Sequence, residues 1–365
     1  MKRRQILQVG LGLTMGNSLF ADVKKGRFEP AVDVLQKATA SGQVESATIY
    51  VRQKDDIFSQ AFGGAATVDA SFLLGSITKP IAVTAIMSLL DAGEFKLDDR
   101  VVKYLPEFQG DGREAITMRQ LLTHISGLPD QLPQNAKMRA AQATLSKFSA
   151  AAIRTPLLFK PGSKYSYSSM AILLASEVAQ RITKQPIAML VDQLVIQPLQ
   201  LHHTALGIGR LEKDSLMRCQ VEHAAPESGA GDPTTKTWDW NSDFWRRLGA
   251  PWGGAFASAG DVAKFLNAFL HPQGKMLKPE TARMMIRNHN PLQMKARGLG
   301  FDLGSDLNGP VCDNVFGHSG STGTICWADP NSDTVCVILT TLPARAITPH
   351  PRELASRHVA GALDS

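Results

Sequence analysis

The chain has 365 residues, of which 44% are hydrophobic and 20% charged, and its formal net charge is +6 at pH 7. This composition is typical of a globular protein and excludes a disordered, fibrous or low-complexity chain. After the first 21 residues, no apolar stretch approaches the roughly 20 residues that a membrane-spanning helix needs, so we expect no transmembrane span.

The first 21 residues have the layout of a signal peptide. Lys2, Arg3 and Arg4 precede a mildly apolar run without charge. The pair Arg3-Arg4 resembles a bacterial twin-arginine signal. Removal of residues 1–21 would take away these three positive charges and no negative ones, so the net charge would fall from +6 to +3. We therefore predict an exported bacterial protein, periplasmic or extracellular, with no nucleic acid as partner; the alternative is an N-terminus that is retained.

The predicted elements begin with a helix over residues 31–40 and two strands over residues 47–52 and 57–62. An apolar segment then leads to Ser76, where a helix starts and continues to about Asp91. Its apolar residues recur at intervals of three and four, which is the spacing of one helix face.

Residues 111–270 have the pattern of helices and loops. One helix begins near Ser169 and is stopped by Pro186. Residues 225–236 are rich in Pro, Gly, Ser and Thr, which predicts a surface loop. The aromatic cluster that follows is interpreted as a packed loop in preference to a substrate cleft; its members are Trp238, Trp240, Phe244 and Trp245.

The last third of the chain returns to strands. Residues 324–328 and 334–342 predict a hairpin, and residues 351–363 a helix. Strands at both ends with helices between them predict an α+β fold, in which one antiparallel sheet is built from both termini and flanked by helices. We predict one catalytic domain over residues 22–365. In it, residues 22–110 and 271–365 form the sheet-containing part and residues 111–270 the mostly helical part.

The cysteines and histidines show no metal-binding pattern, and we expect neither a metal nor a cofactor. Cys326 and Cys336 flank the turn of the predicted hairpin, so they form either a disulfide across it or a pair of buried thiols. The pair His202-His203 has no third ligand at helical or strand spacing. We interpret His124 as a structural, hydrogen-bonding histidine.

The strongest chemical pattern is Ser76-Ile77-Thr78-Lys79 at the start of a predicted helix. Residues three apart share a helix face, so the lysine amine can reach the serine hydroxyl. A serine needs an adjacent base to become a nucleophile, and a lysine serves as that base when burial or a nearby positive charge lowers its pKa. The tetrapeptide alone is equally typical of a helix cap beside a solvated lysine.

Four further segments occur with it in a recognisable order. They are LLTHISGLP over residues 121–129, a Pro-Gly segment ending in Tyr-Ser-Ser at 167–169, GGAFASAGDVAKF over 253–265, and GHSGSTGT over 317–324. Together with residues 72–79 they make the chain resemble the penicillin-recognising serine hydrolases of the class C β-lactamase type. That group includes D,D-carboxypeptidases, D-amino-acid peptidases and β-lactamase-like esterases. The resemblance covers about residues 30–345 and implies the β-lactamase fold.

The resemblance also implies roles for individual residues. Ser76 would be acylated, while Lys79 and Tyr167 move the proton; Tyr165 is less favoured because it lies two residues short of the family spacing. Backbone N–H groups of Ser76 and Ser321 would form an oxyanion hole. The implied substrate-binding residues are Ser169, His318, Ser319 and Gly320, of which Gly320 would let the substrate approach the backbone. Trp252 is a possible pocket wall, and core packing is an equal alternative.

Two departures from the family pattern bear on the substrate. His318 stands where β-lactamases usually have lysine, and Ser169 where the peptidases and lactamases have asparagine. A histidine is partly neutral near pH 7, so we expect a weaker hold on a substrate carboxylate. The sequence therefore predicts a serine hydrolase that cleaves a small ester, amide or peptide through an acyl-Ser76 intermediate, and it favours a carboxylesterase. A D,D-carboxypeptidase, D-aminopeptidase or β-lactamase is the alternative, and a non-catalytic penicillin-binding sensor a further one. The oligomeric state stays open.

Overall fold

The computed structural model describes residues 26–65, 67–307, 309 and 314–363. The predicted signal peptide and Cys312 lie outside these residues. The described strands, in chain order, are β1 (Ser46–Gln53), β2 (Asp56–Gly63), β3 (Phe72–Leu73), β4 (Ala205–Leu206), β5 (Ala255–Ala257), β6 (Asp302–Leu303), β7 (Phe316–Gly320), β8 (Thr324–Asp329) and β9 (Thr334–Thr340).

The helices are numbered in the same way. They are α1 (Glu29–Ala40), α2 (Thr78–Asp91), α3 (Met118–Leu122), α4 (Asn135–Ala140), α5 (Leu145–Arg154), α6 (Ser169–Thr183), α7 (Ile187–Val191), α8 (Gln197–Leu199), α9 (Asp243–Leu248), α10 (Ala259–Leu270), α11 (Pro279–Met285) and α12 (Pro351–Leu363). A π-helical segment, Asp192–Ile196, joins α7 to α8, and a 3₁₀ turn, Gly75–Ile77, leads into α2.

The main sheet has six antiparallel strands in the order β2-β1-β9-β8-β7-β6. The predicted sheet built from both termini is confirmed, because β1 pairs directly with β9 and Ile49 lies opposite Ile338. A second, three-stranded sheet has the order β3-β5-β4. Two of its strands come from residues 111–270, where the sequence predicted mainly helices and loops. Strands of two or three residues are too short to give an alternating pattern in the sequence.

Each face of the main sheet covers its own hydrophobic core. One core lies under α1 and α12 and contains Ile338 and Cys336. The other, larger core lies between the sheet and the helices of the middle segment and contains Val337 and Cys326. Successive residues of β9 enter opposite cores because side chains alternate across a strand.

This alternation decides the question left open for Cys326 and Cys336. In the hairpin, Cys326 lies opposite Val337, while Cys336 lies opposite Trp327. The two thiols therefore point to opposite faces of the sheet, and both are free and buried. The expectation that they might face each other is wrong by one residue of register. Burial raises the pKa of both thiols, that of Cys326 to about 12.

Within the described ranges, no helix is both long and apolar enough to cross a bilayer.

Candidate active site

Ser76 lies in the 3₁₀ turn ahead of α2, and Lys79 lies in the first turn of the helix. The Lys79 amine donates a hydrogen bond of 3.0 Å to the Ser76 hydroxyl and one of 2.7 Å to the Trp252 carbonyl. The predicted contact between residues three apart is thus present. Gly75 makes the turn possible: its φ is +55°, and a Cβ there would stand 3.1 Å from the Ser321 backbone nitrogen.

Lys79 is fully buried, and this sets its chemistry. Burial lowers its pKa to about 7; the nearby Asp130 carboxylate opposes this shift, and the Arg297 guanidinium adds to it. A large fraction of the amine is therefore neutral at neutral pH, as a base requires. The alternative interpretation, a helix cap beside a solvated lysine, is therefore wrong.

Tyr167, the favoured tyrosine, is the one that lies against the amine. Lys79 Nζ is 4.8 Å from the centre of the Tyr167 ring. The ring is partly exposed, but its hydroxyl oxygen is buried and makes no hydrogen bond of ordinary geometry. Burial raises the pKa of Tyr167, and the Ser76 hydroxyl is close enough to oppose that rise. Tyr165 instead lies beside Lys295, whose Nζ is 5.6 Å from the Tyr165 ring centre.

The two backbone N–H groups of the predicted oxyanion hole come from segments that are tied together. Ser76 is in the first turn of a helical segment, where N–H groups have no intrahelical acceptor, and Ser321 follows the last paired residue of β7. Thr322 and Thr324 donate hydrogen bonds of 2.7 Å to the carbonyls of Leu73 and Leu74. These bonds hold the turn after β7 beside the segment that carries Ser76.

His318 is nearly fully buried, and its ring is turned towards Arg297. Arg297 Nη2 donates to His318 Nε2 over 2.8 Å, and His318 Nδ1 lies 2.7 Å from the Ser319 carbonyl oxygen. A guanidinium has no acceptor, so Nε2 must be the unprotonated nitrogen. Burial and the charges of Arg297 and Lys79 hold the pKa of His318 well below its usual range. The imidazole is therefore neutral, beyond the partial neutrality expected from the sequence.

Gly320 does not have the predicted function of letting a substrate approach the backbone. A Cβ at Gly320 would collide with the Leu74 carbonyl oxygen and with the Thr324 hydroxyl. The space that this glycine leaves is thus filled by the segment before Ser76 and is not open to a substrate. Ser319, the residue before it, is partly exposed on β7.

Ser169 lines the same cavity as Ser76, but its hydroxyl is engaged by a residue that the sequence analysis missed. Its Oγ donates to Asp130 Oδ1 over 2.6 Å, and its backbone N–H donates to the same oxygen over 2.9 Å. The hydroxyl proton of Ser169 is therefore committed to a carboxylate. Asp130 directly follows the LLTHISGLP segment, and a charged residue after so apolar a run was the available signal.

The cavity has a volume of about 240 Å³, and its lining residues fall into two groups, which we call walls. The nucleophile wall comprises Ser76, Lys79, Tyr167 and Ser321, with Lys79 behind the surface. The insertion wall comprises residues of the middle segment, namely Asp130, Arg139, Glu227, Trp240 and Trp245. Trp240 and Trp245 of the aromatic cluster line this cavity and are also buried in the larger core, so for these two residues the packed-loop interpretation and the substrate-cleft alternative both hold.

Trp252 has both of the functions that the sequence left open. It lines the cavity, and it also packs in the core, with its ring centre 5.9 Å from that of Phe148 and 6.3 Å from that of Trp245.

Arg297 is the second residue that the sequence analysis missed. It is fully buried, forms an ion pair with Asp302, and has its guanidinium carbon 5.5 Å from the Tyr167 ring centre. It therefore places one positive charge close to Lys79, Tyr167 and His318. The stretch around it in the sequence has no motif, so no pattern indicated a buried arginine at this position.

His124 lies beside the site as a supporting residue. Its Nδ1 accepts a hydrogen bond of 3.1 Å from the Ser168 N–H, and its ring centre is 4.6 Å from that of Tyr167. Burial, with the nearby positive charges of Arg297 and Lys79, holds its pKa well below the usual range. A neutral ring packed on Tyr167 agrees with the structural interpretation.

Nothing in the described part of the chain forms a cluster of three or more His, Cys, Asp or Glu residues suited to a metal ion. His203 donates its backbone N–H to Asp261, 2.7 Å away, as part of the fold.

Comparison with known proteins identifies a family of which this site geometry is typical. The family model described as "Beta-lactamase" matches residues 31–357. "Esterase EstB" from Burkholderia gladioli is 29% identical over 310 residues, which cover 76% of this chain and 77% of that protein. "Putative D-alanyl-D-alanine carboxypeptidase" from Escherichia coli (strain K12) is 24% identical over 347 residues, which cover 81% of this chain and 77% of that protein.

The fold is also found in solved structures. That of "EstCE1, a hydrolase with promiscuous acyltransferase activity" aligns with a TM-score of 0.77 at 19% identity, covering 93% of this chain and all of the other. At this identity the alignment shows the shared fold.

Proposed function

The chain belongs to the beta-lactamase family of serine hydrolases, and from that premise we propose that it is a carboxylesterase acting through an acyl-Ser76 intermediate. The observation that carries the choice of ester is the state of His318. This imidazole is buried, neutral and turned towards Arg297, so it offers no positive charge to a substrate carboxylate beside β7. Peptides ending in D-alanine and β-lactams both carry such a carboxylate next to the bond that is cleaved.

The state of Ser169 supports the same choice. Its hydroxyl proton is directed to Asp130, so it has no donor left for an amide side chain of a substrate. EstB, named an esterase, is among the curated relatives. The peptidase alternative is supported by the names of relatives, among them the putative D-alanyl-D-alanine carboxypeptidase of Escherichia coli.

In the proposed reaction, neutral Lys79 takes the proton of the Ser76 hydroxyl as its oxygen attacks the ester carbonyl. The N–H groups of Ser76 and Ser321 bind the oxyanion that forms. When the intermediate collapses, the bond to the alcohol breaks and the Tyr167 phenol supplies the proton that the departing oxygen needs. Tyr167 then recovers a proton from the Lys79 ammonium. Water repeats these steps in the second half, releasing the acid and restoring Ser76.

A substrate panel tests the proposal. We expect 4-nitrophenyl butyrate to be hydrolysed with a kcat/KM at least about a hundred-fold above that of a D-Ala-D-Ala peptide or a chromogenic cephalosporin, a difference of about 2.7 kcal/mol in transition-state binding. Faster turnover of the cephalosporin or the peptide would overturn the choice of ester.

The nucleophile is tested separately by mass. A fluorophosphonate probe should add one adduct, mapped to Ser76, and Ser76→Ala should remove both the adduct and the activity. Ser163→Ala is the matched control, because Ser163 is an exposed serine in the loop before Tyr167. A stable penicillin adduct without ester turnover would instead favour the non-catalytic sensor.

The place of action is a proposal from the sequence alone. We propose that residues 1–21 direct export and are then removed, which mass measurement of the protein recovered from the producing cell would test.

A further inference from the structure

The insertion wall contains a buried arginine that the proposed reaction does not use. Arg139, on α4, is only 3% exposed and lines the cavity with Ser76. Its guanidinium carbon lies 4.1 Å from the centre of the Trp245 ring. Its Nε and Nη1 atoms are buried without a hydrogen-bond partner among the described residues. A buried charge without a partner is costly, so this arrangement needs an explanation.

The unpartnered groups at this place are mainly donors. Besides the two Arg139 nitrogens, the indole Nε1 of Trp245 is buried without an acceptor, and Trp245 also lines the cavity. Gln131 lines it with a buried amide oxygen that has no partner, and turning that amide over would present its NH₂ group instead. Arg139 lines the cavity with a positive charge whose Nε and Nη1 atoms have no partner in the protein, and such a group suits a ligand that is an anion with acceptor oxygens.

The acidic residues of the same cavity do not satisfy Arg139. Glu227 is exposed and forms no ion pair with Arg139, although its charge raises the pKa of the arginine. Burial is the larger influence and lowers that pKa to about 10, so the guanidinium is charged at neutral pH. Asp130 is also exposed and already accepts two hydrogen bonds from Ser169.

We propose that Arg139, stacked on Trp245, binds a carboxylate of the substrate that is separated from the scissile carbonyl by a short chain, so that the preferred substrates are anionic esters such as half-esters of dicarboxylic acids. The planar guanidinium matches a carboxylate in two parallel hydrogen bonds, and the indole holds it in place. This inference rests on the proposed esterase function for its substrate class. The carboxylate site is formed by Arg139 on the insertion wall and does not involve the neutral His318.

Binding is tested first, without catalysis. Glutarate contains no ester, and we expect calorimetry to show that it binds the wild-type protein and that Arg139→Met weakens its Kd at least about ten-fold, which is roughly 1.4 kcal/mol. Arg345→Met is the matched control: this exposed arginine lines the same cavity, and solvent screening predicts less than about a three-fold change. Glu227→Gln should tighten binding, because it removes a competing negative charge. Absence of glutarate binding, or equal loss in both arginine variants, would overturn the proposal.

Specificity is tested with ester pairs that differ in one carboxylate. One pair is 4-nitrophenyl hemiglutarate and 4-nitrophenyl butyrate, with the charge on the acyl side. The other is 3-carboxyphenyl butyrate and phenyl butyrate, with the charge on the leaving group. For at least one pair, we expect the anionic-to-neutral ratio of kcat/KM to fall ten- to a hundred-fold in Arg139→Met, mainly through KM. Unchanged ratios for both pairs contradict the proposal, whereas no turnover of any ester contradicts the esterase function and leaves the glutarate result to decide on Arg139.

Folding of the variants is checked by thermal melting. Methionine has a similar length and no buried charge to accommodate, so Arg139→Met should melt no lower than wild type. A purely structural arginine predicts a lower melting temperature with unchanged glutarate affinity. If the methionine variant does not fold, Arg139→Lys serves instead, because it keeps the positive charge without the planar guanidinium. We expect this variant to bind glutarate more weakly than wild type but still measurably.

Discussion

The two walls of the cavity are built in different ways. On the nucleophile wall, short hydrogen bonds fix the segments that carry Ser76 and Ser321, and Lys79 makes two of them. On the insertion wall, Arg139 and Trp245 keep buried donors without partners. Tyr167 is the exception on the nucleophile wall, because its hydroxyl also has no partner of ordinary geometry, but the unpartnered donors of the insertion wall belong to a charged guanidinium and to the ring stacked on it. The comparison supports the proposal that the nucleophile wall performs the reaction and the insertion wall selects the substrate.

Beyond the nucleophile itself, removing the buried amine of Lys79 should cause the largest loss of activity among the substitutions on the two walls. We expect Lys79→Met to lower kcat for 4-nitrophenyl butyrate at least about a thousand-fold, because Ser76 loses its base. The free energy of unfolding should not fall, since a buried amine with a depressed pKa destabilises the fold at pH 7. Steady-state kinetics and denaturant unfolding measure the two effects. A loss of activity that comes with a loss of stability would make Lys79 a structural residue.

Tyr167→Phe should have the next largest effect, about a hundred-fold on kcat, because proton transfer by a positioned group typically contributes that much or more. The ring and its contacts with Lys79 and His124 remain in this variant. Tyr165→Phe is the matched control, and we expect it to change kcat less than about three-fold. Equal effects of the two substitutions would contradict the choice of Tyr167.

The pH profile tests the charge state of the nucleophile wall. With a Lys79 pKa of about 7, the neutral base is lost as pH falls, so kcat/KM should rise with pH and level off above about 8. At pH 6 it should be roughly a tenth of its upper limit. The raised pKa of Tyr167 keeps the phenol protonated over this range. A rate that falls between pH 6 and 8 would contradict a lysine base.

Removing the charge of Arg297 should give the smallest change in activity, and it should act through the pKa of Lys79. The double variant Arg297→Met/Asp302→Asn removes both charges of a buried pair, which avoids leaving Asp302 without its partner. Without the guanidinium, the pKa of Lys79 should rise, so the profile shifts to higher pH and kcat/KM at pH 7 falls a few-fold. Ser163→Ala should leave the profile in place. A profile unmoved in the double variant, with an unchanged melting temperature, would show that Arg297 does not tune Lys79.

Much of the fold followed from local patterns in the sequence. The helix after Ser76 ends at Asp91 as predicted, the helix beginning near Ser169 is present, and α12 spans the predicted residues 351–363. The strands of both termini were visible because alternating and apolar runs of five to nine residues identify them. The register that separates Cys326 from Cys336 was not visible, because a shift of one residue leaves such a pattern unchanged.

The sequence by itself determined the β-lactamase type of fold and the spacing of Ser76 and Lys79, since both depend on contacts within a few residues or on recognisable segments. Only the tertiary structure decided that Lys79 is buried, that His318 is neutral beside Arg297, and that Arg139 enters the cavity. The physical reason is that a pKa and an unsatisfied hydrogen bond depend on groups far apart in the chain. Arg297 is 218 positions from Lys79 by subtraction of their numbers, and no local pattern contains that distance.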